Sequence, residues 1–197
     1  MARRHRLVVL ASGRGTNLQA ILDAVRAGAL PAEVALVASD KPSPALERAE
    51  RARVPALYLP PRKGVSREDY DALLADFVAA ARPDLVVLAG WMRILTPVFL
   101  DRFPNRVINL HPALPGAFPG LDAIRRNYQA YRRGQATTGG VMVHYAVPEV
   151  DAGPVILAEP VPIYPGDSLR AFEARVHATE HRLIVEAIRR VLGRDAG

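Results

Sequence analysis

Three residues in this chain have types and spacing suited to chemistry. Asn109 and His111 stand two apart in "RVINLHPALPGAFPG" (106–120), and Asp151 lies in "HYAVPEVDAGPVI" (144–156). If Val107–Leu110 is a strand, Asn109 and His111 alternate across Leu110 and point to one face. Asn109 can then donate an amide N–H to an oxygen that gains negative charge during a reaction. A carboxylate beside His111 would favour the imidazolium and raise its pKa toward working pH, as general acid catalysis needs. No serine or cysteine nucleophile accompanies the three, which suggests that the nucleophile belongs to a substrate. The plainer alternative makes His111 a polar strand end before an ordinary loop, and Asp151 a turn residue ahead of Ala-Gly-Pro.

A second candidate is "LASGRGTNLQ" (10–19). Gly13 and Gly15 follow a strand and precede a helix, so backbone N–H groups can approach an anion at the helix N-terminus. A dinucleotide fingerprint would place a third glycine at position 18, where Leu18 stands, although Asp40 mimics the ribose-binding acid after the second strand. A single phosphate held by Gly15, Thr16 and Asn17 fits better, with a simple turn capped by Thr16 or Asn17 as the competing reading. On the phosphate reading, a side chain at Gly15 is expected to crowd the anion.

These groups need a scaffold, and the hydrophobic pattern supplies one. Strand runs are expected at 6–12, 33–39, 55–59, 84–90 and 106–110. Helices are expected from Asn17 to about Ala27, at "PALERAERAR", and at 66–81, where Ser66 caps the helix and Leu73, Leu74, Phe77 and Val78 share a face. After Gly120 a helical segment leads into two strands that should pair, 139–147 and 153–163, and a long helix over 168–192. Continuous apolar strands alternating with amphipathic helices imply an α/β fold with a Rossmann-like, mostly parallel sheet covered by helices on both faces. In such sheets ligands sit beyond the carboxyl ends of the strands, where the strand order reverses. His111 falls at such an end.

The bulk properties agree. At 197 residues and 50% hydrophobic, the chain suits one domain with a substantial core. Its apolar runs, such as "LVVLA" twice, are strand-length, and no signal peptide follows the basic "MARRHR". Without cysteine, disulfides and thiolate metal sites are excluded, which suits a cytoplasmic protein. The net charge of +6 comes mostly from scattered arginines, not from one aromatic-laced stripe, so anionic small substrates are favoured over nucleic acid. Neither a metal site nor a membrane association is expected.

Seven ordered segments give the sequence a family resemblance over Leu7 to about Ile188. They include "LASGRGTNLQAI", "SREDY", "VVLAGWMRILTP", "NLHPALPGAFPG", "TTGGVMVHYAVPEVDAGPVI" and "GDSLRAFEARVHATEH". The chain resembles the glycinamide ribonucleotide (GAR) formyltransferases of purine synthesis, which use 10-formyltetrahydrofolate. The resemblance implies that Asn109, His111 and Asp151 are catalytic, and that Gly15, Thr16 and Asn17 bind the ribonucleotide phosphate while Glu180 contacts its ribose. It further implies folate contacts from Arg67, from Met92, Arg93, Ile94 and Leu95, from Asn109, and from the loop Val147 to Asp151. A single formyltransferase domain is expected over 1–197, with a nucleotide-binding half to about residue 100 and a catalytic and folate half beyond it. The protein is expected to act as a monomer or homodimer.

The pattern departs from the family in one loop. The usual His-Pro-Ser-Leu-Leu-Pro reads "HPALPGAFPG" here, with Ala113 for serine and Pro115-Gly116 for leucine and proline. Phe118 keeps the aromatic place, so altered loop geometry is expected rather than lost activity. Rival readings are a methionyl-tRNA formyltransferase, a formyltetrahydrofolate deformylase and a non-catalytic nucleotide-binding module. The first two would carry a further domain after or before the motif. The third would leave Asn109, His111 and Asp151 without a role.

Overall fold

The computed structural model describes residues 4–194, so the first three residues of the basic opening segment lie outside the described residues. The strands are β1 (His5–Leu10), β2 (Ala32–Ser39), β3 (Ala56–Tyr58), β4 (Leu85–Leu88), β5 (Val107–His111), β6 (Thr138–Tyr145) and β7 (Val155–Pro162). The helices are α1 (Thr16–Arg26), α2 (Pro44–Arg51), α3 (Arg67–Ala80), α4 (Pro97–Leu100), α5 (Ala123–Arg132) and α6 (Leu169–Arg194). One sheet runs in the order β3-β2-β1-β4-β5-β6-β7. Strands β1 to β5 are mutually parallel, while β6 is antiparallel to β5 and β7 to β6. The expected mostly parallel α/β sheet is the one observed.

Side-chain alternation sorts the central strands into two cores. Leu7, Val9, Leu85, Val87, Ile108 and Leu110 pack with Leu18 and Ile21 of α1 and with Phe172, Val176 and Ile184 of α6. Val8, Leu10, Val86, Leu88 and Val107 face the other way, onto Tyr70, Leu74 and Val78 of α3 and Phe99 and Leu100 of α4. Burial on both faces explains why β1 and β4 read as unbroken apolar runs. It also fixes the direction of the odd residues of β5. With Ile108 and Leu110 committed to the α1/α6 side, Asn109 and His111 must project to the α3/α4 side.

Two details differ from the sequence expectation. Helix α3 buries Tyr70, Leu74 and Val78 and leaves Leu73 (46%) and Phe77 (43%) exposed, so its inward stripe is turned by one position. Two polar anchors set that rotation: Tyr70 donates its hydroxyl to the Leu59 carbonyl (2.8 Å), and Asp71 accepts from the Thr96 N–H (2.6 Å). The Ser66 cap is present, its hydroxyl accepting from the Asp69 N–H at 3.0 Å. The single-turn helix α4, begun by Pro97 in its first turn, was not anticipated.

Candidate active site

Beyond the carboxyl end of β4 the chain turns at Gly90 (φ +83°) and runs on as Trp91–Leu95. This segment and β1 are tied together: Ser12 donates its backbone N–H to the Gly90 carbonyl (3.0 Å), and its hydroxyl accepts from the Met92 N–H (3.1 Å). Strand order reverses between β1 and β4, so the sheet edge splays here. A cavity of about 370 Å³ opens beside it, walled by Trp91 to Leu95, by Gly120 to Ala123, and by the stretch Ala146 to Asp151. Asn109, His111 and His144 form its floor.

Asp151 reaches that floor by an indirect route. Because β6 is antiparallel to β5, with Ile108 opposite Tyr145, the chain leaves β6 at the far end of β5 from His111. The segment after Ala146 then doubles back over the sheet face. Asp151 stands at φ +53°, in the left-handed region that an aspartate tolerates better than most residues. Its Oδ2 lies 3.3 Å from His111 Nδ1 and accepts the Gly120 N–H at 2.8 Å. Its Oδ1 accepts from Asn109 Nδ2 at 3.0 Å and lies 3.5 Å from His144 Nε2. The three residues singled out from the sequence therefore meet at one carboxylate.

Electrostatics at this floor differ from expectation at His111. Its side chain is 5% exposed, and that burial pushes its pKa below the ordinary 6.5, against the pull of the Asp151 carboxylate and the Phe118 carbonyl. The expected rise is thus reversed, because removing the imidazolium from water outweighs one nearby anion. The acceptors still favour a doubly protonated ring when it charges: Nε2 sits 3.1 Å from the Phe118 carbonyl while Nδ1 faces Asp151. Asp151 is itself largely buried, which would raise its pKa. The interaction with His144, the hydrogen bond from the Gly120 N–H and the nearby His111 more than offset that, and its carboxyl is held below the usual range.

His144 is the site residue that the sequence reading missed. It pairs with Asn109 across β5 and β6, is buried, and lies 2.8 Å through Nδ1 from the Tyr145 carbonyl. With the proton assigned to Nδ1 by that carbonyl, Nε2 accepts from Asn109 Nδ2 at 3.1 Å. Both amide hydrogens of Asn109 are therefore engaged, by Asp151 and His144. A signal was available, since His144 is the single basic residue in the largely apolar "GGVMVHYAV".

The remaining predicted residues fall into two groups. Met92, Arg93, Ile94, Leu95, Val147 and Asp151 all line the cavity. Met92 and Ile94 are about half exposed at 53% and 50%, and Leu95 is buried. Arg67 stands behind this wall, donating to the Ile94 carbonyl at 2.9 Å. Arg93 lays its guanidinium 4.5 Å from the Tyr70 ring centre. Gly15, Thr16, Asn17 and Glu180 lie outside that lining. Gly15 (φ +69°) caps α1, with no acidic residue in the first turn and no side-chain cap, so the helix presents bare N–H groups. Glu180 is buried on α6 and accepts from His177 Nδ1 at 2.6 Å. That hydrogen bond raises the His177 pKa, outweighing burial and the smaller opposing charge of Arg14 in the glycine loop.

Gly15 also corrects an expectation. A Cβ there would come 2.8 Å from the Ala45 Cα and 2.9 Å from its Cβ, on α2. The missing side chain therefore makes room for helix packing, and a larger residue would strain the fold before it crowded any anion.

An open α/β sheet with Asn, His and Asp at the floor of a largely apolar pocket suits the class of enzymes that move protons and stabilise developing negative charge on a bound substrate. Comparison with known proteins narrows that class. The family described as formyl transferase matches residues 5–188. A phosphoribosylglycinamide formyltransferase of Schizosaccharomyces pombe is 44% identical, over 94% of this chain and 96% of that protein. One of Escherichia coli (strain K12) is 42% identical, over 90% and 82%. The crystal structure of glycinamide ribonucleotide transformylase 1 from Symbiobacterium toebii superposes with a TM-score of 0.89 at 46% identity, over 96% of this chain and 88% of that one. The chain belongs to the formyl transferase family.

Proposed function

We propose that this enzyme transfers the formyl group of 10-formyltetrahydrofolate to the amine of glycinamide ribonucleotide, giving formyl-GAR and tetrahydrofolate in de novo purine biosynthesis. The observation that carries the reading is the meeting of Asp151, His111 and Asn109 on the floor of a cavity walled by the 91–95 backbone. The residues present suit a folate. The cavity is within the size range of small-molecule sites, its apolar rim of Met92 and Ile94 can flank a flat ring, and free backbone edges can meet ring nitrogens. The donor supplies an activated formyl carbon on a nitrogen that departs.

This chain's residues manage charge and protons around that carbon. With its pKa held below 6.5, His111 is mostly neutral at pH 7 and can take a proton from the attacking amine. Once charged, the ring is held between Asp151 and the Phe118 carbonyl, and its proton is acidic enough to be passed to the leaving nitrogen. Asn109 exchanges one of its present acceptors for the formyl oxygen as negative charge develops there. The glycine loop and Glu180 hold the ribonucleotide so that its amine points toward this floor, and proximity supplies much of the acceleration. On the same reading the enzyme works in the cytoplasm on small molecules, without metal, nucleic acid or membrane, as a monomer or homodimer.

The test is tetrahydrofolate release from 10-formyltetrahydrofolate, measured with glycinamide ribonucleotide, with charged initiator tRNA and with water alone. Release that needs the ribonucleotide supports the reading. Equal release in water would make the enzyme a deformylase, and release only with tRNA would make it a tRNA formyltransferase.

A further inference from the structure

The loop between β5 and α5 does more than close the pocket. Its backbone holds both ionisable members of the trio: the Phe118 carbonyl faces His111 Nε2, and the Gly120 N–H donates to Asp151 Oδ2. Yet the loop is conformationally costly. Gly116, Phe118, Gly120 and Asp122 all have positive φ, and Phe118 at +47° and Asp122 at +56° are not glycines. Left-handed backbone of that kind persists only where the surroundings enforce it. Within the loop, Ala117 to Leu114 is the one backbone hydrogen bond from its first half.

The external brace comes from the first turn of α5. Arg126 donates through Nη2 to the Phe118 carbonyl at 2.8 Å and to the adjacent Pro119 carbonyl. The Phe118 oxygen is thereby shared between the imidazole of His111 and the Arg126 guanidinium. Arg126 also acts on His111 as a like charge that opposes imidazolium formation.

Resting on the assignment of His111 and Asp151 as catalytic, we propose that Arg126 is a positioning residue that clamps residues 118–119 so that the loop backbone aligns His111 and Asp151. It touches no reacting atom. It sets the geometry of two groups that do.

Arg126→Met keeps the aliphatic stem and removes the donors and the charge. It should lower kcat by on the order of 10²-fold, the scale of a small misalignment in a catalytic site, with KM for both substrates within about threefold, since binding is left largely intact. The His111 titration, followed by NMR, should move up toward 6.5 as the like charge is lost and the ring becomes more hydrated. The Gly120 amide should exchange faster with solvent. Arg126→Lys, which restores a charge and a single donor, should recover part of kcat and of the His111 shift. Should the methionine variant not fold, the lysine variant read by the same three measurements decides the matter. A folded variant with lower Tm but unchanged kcat, His111 pKa and Gly120 exchange would overturn the proposal and leave Arg126 as a helix residue that merely stabilises. His111→Asn and Asp151→Asn are measured alongside. Full activity in those two would sink the catalytic assignment itself, whereas their inactivity beside an unimpaired Arg126→Met would sink only the clamp.

Discussion

Two loops leave the same edge of the sheet, after β1 and after β5, and they are built on opposite plans. The glycine loop is sparse. It presents bare N–H groups at the start of α1 and is held from beneath by α2, where Ala45 packs on Gly15 and donates to the Gly13 carbonyl and Arg48 donates to the Arg14 carbonyl. The loop after β5 is dense: its Phe118 carbonyl meets both His111 at the end of β5 and Arg126, and its Gly120 N–H meets Asp151 from beyond β6. Holding an anion needs only a helix end, which strand, turn and helix make locally. Moving protons needs a fixed histidine and a fixed carboxylate, and at this sheet edge His111 and Asp151 come from different segments of the chain. Their histidines diverge accordingly: burial pushes His111 below 6.5 at one end, while Glu180 raises His177 at the other.

The largest effect should come from breaking the dense end. Asp151→Asn or His111→Asn should lower turnover by roughly 10²–10⁴, the usual worth of a positioned acid or base. The double variant should lose little more than either single one, because the residues act as a unit. Asp151→Asn should also move the His111 pKa further below 6.5, since it removes the main group opposing burial. Near-normal turnover with an unmoved histidine would return Asp151 to the role of a turn residue.

At the sparse end, Gly15→Val should act on stability first. The overlap with Ala45 and the left-handed backbone together should cost on the order of 2–4 kcal/mol, and about 2–4 °C of Tm per kcal/mol is expected at this chain length. Both substrates should be affected through loss of folded enzyme. A variant of normal Tm with a raised KM for the ribonucleotide alone would show that Gly15 serves the anion directly.

Gly13→Ala is the sharper probe of anion binding. An added Cβ there meets nothing within 4 Å, so folding should be preserved. The KM for the ribonucleotide should rise by about five- to tenfold, the scale of one hydrogen bond, with folate binding unchanged. An equal rise for both substrates would argue against a phosphate site at this loop.

The smallest effect concerns the two histidines. Glu180→Gln should lower the His177 pKa and leave that of His111 in place. A raised folded-state pKa means that the His177–Glu180 pair stabilises fully below the unfolded value near 6.5, with the contribution lost as pH rises through the folded value. The variant should therefore flatten the stability curve just above pH 6.5. His111, with its lowered pKa, works in the opposite sense, and stability falls as pH drops from 6.5 toward its folded value. A wild-type curve without these opposed trends would contradict the assigned environments.

What the amino-acid order determined by itself was mostly local. Apolar runs of four to six residues alternating with amphipathic helices read as strands buried on both faces, so the α/β class, and the shared face of Asn109 and His111, follow from the pattern. The glycine turn before α1 and the Ser66 cap are likewise short-range. The rotation of α3 was not legible, because it is set by Tyr70 and Asp71 reaching Leu59 and Thr96 in other segments. The sign of the His111 shift was not legible either. Proximity to Asp151 is a pairwise fact, but desolvation is a property of everything packed around the ring. His144, the Phe118 carbonyl and the Arg126 clamp belong to the same category. The His144 and Asp151 contacts to Asn109, 35 and 42 residues apart, exist only once β6 has paired antiparallel with β5 and the chain has folded back across the sheet. The Phe118 and Arg126 contacts span seven and eight residues and depend on the left-handed backbone of the loop.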